Sequence, residues 1–275
     1  MNYRTILVHL DTSERAALRL DSALRVARKF NAHLDGLFAV FSPELQGFHV
    51  MAGSATWFEQ HRHEREQHRA SVKRLYAAEL ARADVKGNWM RAEGDPNVDV
   101  PRRARAADLV IASQTDHDDP NAFVAEDFIE NLVLSAGRPV LLLPRSGQFE
   151  TIGKRVLVAW DGSREASRAL YDALPFIARA EQTTVLTIGE PGKPADAFVS
   201  GTEIALTLAR HNAMVNVDHA SGASVGDVLL TRANDGGHDL IVMGAYGHGR
   251  WRELVMGGAS RTVLESMTAP VLMSH

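Results

Sequence analysis

The residues best suited to chemistry form one segment, Gly244-Ala-Tyr-Gly-His-Gly-Arg-Trp-Arg-Glu-Leu-Val-Met-Gly-Gly-Ala-Ser260. Positions 244, 247, 249, 257 and 258 are all glycine. Glycine accepts positive φ and lets a ligand approach bare backbone. Successive amides of such a loop form an anion-holding nest, and Gly257 and Gly258 open a helix whose first N–H groups and dipole favour negative charge. A phosphate chain, with charge spread over many oxygens, suits these donors. His248 and Arg250 add groups that reach phosphate oxygens, the arginine through charge-assisted bonds. Trp251 either shields such a ligand or fills the core. The spacing fits neither the dinucleotide GxGxxG nor the Walker GxxxxGK[ST] pattern.

Other chemistries have less support. The 275 residues include no cysteine, which excludes disulfides, thiolate catalysis and cysteine-held metal sites. There is no GxSxG nucleophile elbow, no lysine in the glycine loop and no evident general base facing it, so catalysis is expected to be at most a weak ATPase. His63 and His68 are five apart and do not make the HExxH pattern. Their segment reads as a solvated helix laced with i,i+4 charge pairs. Asp116-His-Asp-Asp119 offers oxygen ligands for a divalent cation but reads as an exposed acidic loop, and no metal site is assigned. A formal net charge of -4 and arginines interleaved with acids give no reason to expect nucleic acid. No apolar run approaches the roughly 20 residues of a membrane span, and the first residues lack a signal-peptide pattern, so a cytoplasmic protein is expected.

The elements that must position the loop come from an internal repeat. At an offset of 150, Leu7, Val8, Asp11, Ser13, Ala16 and Leu20 meet Leu157, Val158, Asp161, Ser163, Ala166 and Leu170. Toward the ends, Asp108 and Pro139 align without a gap on Asp239 and Pro270. The spacing predicts domains over 1–146 and 152–275. In the second half, strands are expected at 155–160, 184–188, 214–218, 240–243 and 271–273, with helices near 164–180, 195–212, 225–234 and 258–267. The first half repeats the order, with a longer second helix near 57–82. Continuous apolar strands alternating with helices imply an α/β fold of two tandem, doubly wound, five-stranded parallel-sheet domains. Ligands of such sheets bind beyond the carboxyl ends of the strands, where strand order reverses. Segment 41–57 is a long apolar loop, in which Phe48, Val50 and Met51 cover the first crevice, meet a partner or pack on the neighbouring helix.

The gapless register places Ser113, Asp116, Glu126 and Asp127 opposite Gly244, Gly247, Gly257 and Gly258. Three carboxylates replace bare backbone, and like charges a few ångströms apart cost on the order of kilocalories per mole. The first half is therefore expected to have lost the site, leaving one per chain.

Gly244-x2-Gly247-x9-Gly257, Asp161-Gly-Ser163 after the first strand and the closing Ala-Pro-Val-Leu strand resemble the universal stress protein family. The resemblance covers both halves and implies a Rossmann-like tandem stress-response protein that binds ATP, with or without Mg²⁺, or a related adenine nucleotide. It implies a site at Asp161, Gly162, Ser163, Ile188, Met243, Gly244, Gly247, His248, Gly249, Arg250, Gly257, Gly258, Ala259 and Ser260. Gly258 departs from the family's Ser or Thr, and Ser260 is a substitute hydroxyl. The resemblance also implies joining of the two last strands into an intrachain pseudo-dimer, with a further homodimer left open. The alternatives are a slow ATPase, or an interaction protein that uses the first crevice and segment 41–57.

Overall fold

A computed structural model describes residues 2–41, 54–92, 94–116, 119, 127–189, 199–247 and 258–275, with side chains of the second helix from 66 onward. The first half forms β1 (Thr5–Leu10), α1 (Ala16–Phe30), β2 (His33–Phe38), α2 (Ser54–Ala83), β3 (Trp89–Arg91), α3 (Pro96–Ala104), β4 (Leu109–Ser113), α4 (Phe128–Ser135) and β5 (Val140–Leu143). The second forms β6 (Arg155–Ala159), α5 (Arg164–Asp172), α6 (Leu174–Ile177), β7 (Gln182–Gly189), α7 (Gly201–Ala209), β8 (Val215–Ser221), α8 (Val225–Asp235), β9 (Leu240–Gly244), α9 (Gly258–Ser266) and β10 (Val271–Ser274).

The described strands make one continuous sheet in the order β3-β2-β1-β4-β5-β10-β9-β6-β7-β8. Pairing is parallel inside each half and antiparallel where β5 meets β10, with Leu141 opposite Leu272. That junction turns two exposed edges into one buried ladder, which removes a template for aggregation. Strand order reverses between β1 and β4, and again between β6 and β9.

Helices cover both faces. Ile6, Val8 and Leu10 of β1 join a core with residues of α1, α2, α5, α6 and α7, whereas Leu7 joins one with α3, α4, α8 and α9. The alternation of strand side chains thus feeds two helical layers, each spanning both halves. Tyr3, Phe30 and Phe176 tie the halves together. Phe30 lies edge-on to Tyr3 and to Phe176, both at 4.9 Å, and the Tyr3 hydroxyl donates to the Asp172 carbonyl at 2.6 Å. Gly153 has φ +74 and passes so close to Phe176 that a Cβ there would lie 2.5 Å from the ring.

Three expectations are corrected. The helix expected at 164–180 is two, α5 and α6, because Pro175 has no N–H to give and its ring collides with the carbonyl four residues earlier. The helix near 195–212 is seen as α7, whose start is fixed by a capping box between Ser200 and Glu203, and 190–198 lie outside the described residues. Helix α2 begins at Ser54, so the end of the segment read as a loop is helical; 42–53 lie outside the described residues. No helix among the described residues is long and apolar enough to cross a membrane.

Candidate functional site

At the β6/β9 switch point, Asp161, Gly162 and Ser163 form the turn between strand and helix. Gly162 takes φ +77, a region costly for other residues. The Asp161 carboxylate accepts from the Ser163 N–H at 2.9 Å, and the Ser163 hydroxyl accepts from Ala166 N–H at 3.0 Å, capping α5. The Asp161 side chain is solvent-exposed beside this N-terminus.

Gly244 ends β9 against the same turn. A Cβ there would stand 2.5 Å from Ala166 N and from the Glu165 carbonyl carbon, so glycine lets the first turn of α5 press onto the strand. Tyr246 adopts φ +53, which turns the chain away from the sheet, and its N–H donates to the Ser260 hydroxyl at 3.3 Å. Ser260 is buried and ties the loop to α9. Gly247 is exposed; a Cβ on it would lie 3.1 Å from the Glu165 carboxylate. Gly258 opens α9, and among the described residues nothing lies within 4 Å of a Cβ there. Met243 is buried beneath the loop, Ala259 is half-buried, and Ile188 packs at the end of β7 on the α8/α9 side. The turn after β6, the loop after β9 and the start of α9 thus converge. His248, Gly249, Arg250 and Gly257 lie outside the described residues, as does Trp251.

Two features escaped the motif reading. Glu165 is buried in the first turn of α5 and accepts from Arg164 at 2.9 Å, placing a paired carboxylate beside Gly247. Tyr246 reaches across the molecule: burial first, then the Glu130 carboxylate of α4, pushes its phenol well up. An acid in a helix's first turn was the available signal for Glu165, whereas nothing local signalled the meeting of Tyr246 and Glu130.

The matching crevice of the first half differs in kind. Asp11 is buried and accepts from Arg19 at 2.6 Å, from the Ser13 N–H at 3.0 Å and from the Ser13 hydroxyl at 2.5 Å. Burial alone would raise its pKa; Arg19, His9 and Ser13 outweigh this and hold it below the ordinary carboxylate value. His9 is buried 3.9 Å from Asp11, its Nε2 bonded to the Ala39 carbonyl, and burial lowers its pKa to about 4. Asp119 accepts from the Glu14 N–H at 2.9 Å, bridging the loops after β4 and β1. Asp127 precedes α4 and accepts from Asn97 at 3.1 Å. His117, Asp118 and Glu126 lie outside the described residues. The repeat alignment held the clue to this network, since Arg19 stands opposite Ala169.

The sequence profile of the universal stress protein family matches residues 2–144 and again 153–275. Universal stress protein Slr1230 of Synechocystis is 29% identical over 149 residues, which are 52% of this chain and 49% of that protein. The chain thus aligns with about half the length of that curated relative. A universal stress protein from Archaeoglobus fulgidus superposes with a TM-score of 0.72 at 18% identity, covering 98% of this chain and 95% of the other. A Pseudomonas aeruginosa protein described as a putative universal stress protein gives 0.63 at 17% identity, covering 99% and 93%. At such identities these two likenesses speak for the fold alone. With its fold shared and both halves matched, the chain belongs to the universal stress protein family.

Proposed function

We propose that the chain is a stress-response regulatory protein that binds an adenine nucleotide, ATP with or without Mg²⁺, in its second half only. The observation that carries this reading is the contrast between two aspartates at equivalent places. Asp161 is exposed beside the glycine loop, whereas Asp11 is buried in an ion pair with Arg19. A nucleoside is met by the first and refused by the second. On the second half's own terms, Glu165, already paired with Arg164, offers no donor on the α5 side of the loop, so the phosphates are read as lying toward α9. There Gly258 opens a helix N-terminus with no described residue within 4 Å of a Cβ. The role is read as binding rather than turnover, because Glu165 is engaged by Arg164 and Asp161 is the one other carboxylate named at this site among the described residues.

Calorimetric titration with ATP, ADP and AMP tests the site on the wild type and on Gly247→Asp. The substitution copies the first half's Asp116 and adds a carboxylate beside Glu165. Binding is expected to weaken by at least about tenfold, from a like charge a few ångströms away. Equal affinity in both proteins refutes the assignment. Single-turnover incubation with MgATP separates binding from slow hydrolysis.

A further inference from the structure

A cavity of about 290 Å³ lies between α1, the ends of β4 and β5, and the linker beyond β5. Arg15, at the N-cap of α1, and Arg19, Ser22 and Arg25 on one face of it line the cavity, and Ser113 lines it from the end of β4. The repeat explains why it exists. Arg15, Arg19, Ser22 and Ser113 occupy the places of Glu165, Ala169, Asp172 and Gly244. In the second half, glycine at 244 lets α5 lie against β9 where no Cβ would fit. In the first half, Ser113 carries a Cβ at that point and Arg15 and Arg19 bring two guanidinium groups to the start of α1; this helix lies less closely on β4 than α5 does on β9, which leaves a space.

The space is cationic on its α1 side. Arg15 donates to the carbonyls of Pro144 and Gly147 at 3.3 and 2.9 Å. Arg19 is 3% exposed and gives one terminal nitrogen to Asp11, but its Nε is buried without a hydrogen-bond partner among the described residues. Arg25 is engaged by Asp21, and Glu150 is the other acid on the wall. Burial, then the charge of Arg19, lowers the Arg15 pKa, and Asp116 acts the other way without cancelling this. Two crowded guanidinium groups and a buried N–H without an acceptor are conditions that a bound anion relieves.

We propose that this cavity binds a small phosphate group, as inorganic phosphate or a small phosphate monoester, between Arg15 and Arg19 with Ser22 and Ser113 as hydroxyl donors. A tetrahedral oxyanion offers acceptors in several directions at once, which matches donors arriving from a helix and a strand end. The volume sits at the lower edge of small-molecule pockets, too small for a nucleoside triphosphate. The site is independent of the nucleotide reading, since it uses the other half of the chain.

The test is a titration of the ¹⁵N-labelled full chain with inorganic phosphate and with glycerol phosphate at constant ionic strength. Shifts are expected at the Arg19 Nε–H and at the Ser22 and Ser113 amides, and a stronger response to one ligand identifies the free ion or the ester. Calorimetry on Arg15→Gln, its fold checked by circular dichroism, is expected to show affinity reduced by about tenfold, as for loss of one charge-assisted bond. Absence of shifts at those three groups at millimolar phosphate overturns the proposal, as does wild-type affinity in a folded Arg15→Gln. Should that variant fail to fold, the wild-type shifts decide alone, and shifts confined to Ser163 and Gly247 count against the site.

Discussion

At the scale of single residues, a few atoms separate the two crevices. Among the described residues nothing crowds a Cβ at Gly258, which stands where the family carries a hydroxyl, so Gly258→Ser adds a donor with no clash against them. ATP affinity is expected to rise about fivefold, the worth of roughly 1 kcal/mol for one hydrogen bond, and calorimetric titration reads it directly. An unchanged affinity would mean that phosphates do not lie at the start of α9. His9 makes a prediction about acid. Unfolded, it takes a proton near its ordinary value of 6.5; folded, it does so only at about 4. Between those values the unfolded chain binds more protons, so stability falls as pH drops through that window, by up to about 3 kcal/mol. Below it, the lowered pKa of Asp11 removes more, again in favour of unfolding. Urea unfolding from pH 7 to pH 4 should show this slope, and His9→Gln should flatten its upper part.

At the scale of elements, the contact of β9 with α5 depends on glycine at 244. Gly244→Ala places a methyl 2.5 Å from backbone atoms of α5, which cannot rotate away. The helix must move, and a loss of about 1–3 kcal/mol is expected in denaturant unfolding, as for other overpacked sites. The first half shows the natural alternative, where Ser113 is accompanied by a cavity beside α1. Most elements were legible in the sequence because buried parallel strands read as unbroken apolar runs, as in Leu-Val-Ile of β4 and Leu-Ile-Val-Met of β9. The break after Asp172 was less so, since the residues around Pro175 keep a helical apolar pattern on both sides. The meeting of the Asp161 turn with the residues just after β9 was legible too, because strand order alone brings those segments together.

At the scale of the whole molecule, the halves share one sheet, two helical layers and an aromatic cluster. Lys29 adds bonds to the carbonyls of Ile152 and Gly153 at 2.8 and 3.0 Å, holding the linker against α1. Gln114 reaches the Glu265 carbonyl at 2.9 Å, and Tyr246 lies near Glu130, so the loop of each half touches a helix of the other. The two halves should therefore unfold together. Phe176→Ala empties a fully buried ring position between them and is expected to cost about 3–5 kcal/mol. Differential scanning calorimetry should show a single transition in the wild type and a lower one in the variant. Two well-separated wild-type transitions would contradict this coupling.

The sequence by itself determined the repeat, the alternation of strands and helices, and the exchange of loop glycines for acids between the halves. These follow from local pattern, because hydrophobic period and glycine content are properties of consecutive residues. Tertiary structure alone decided that Asp11 is taken by Arg19 while Asp161 faces solvent, that Glu165 sits beside Gly247, and that a cavity opens beside α1. Each depends on how far a helix stands from its strand. That distance is set by side chains remote in sequence, which meet only once the sheet has formed.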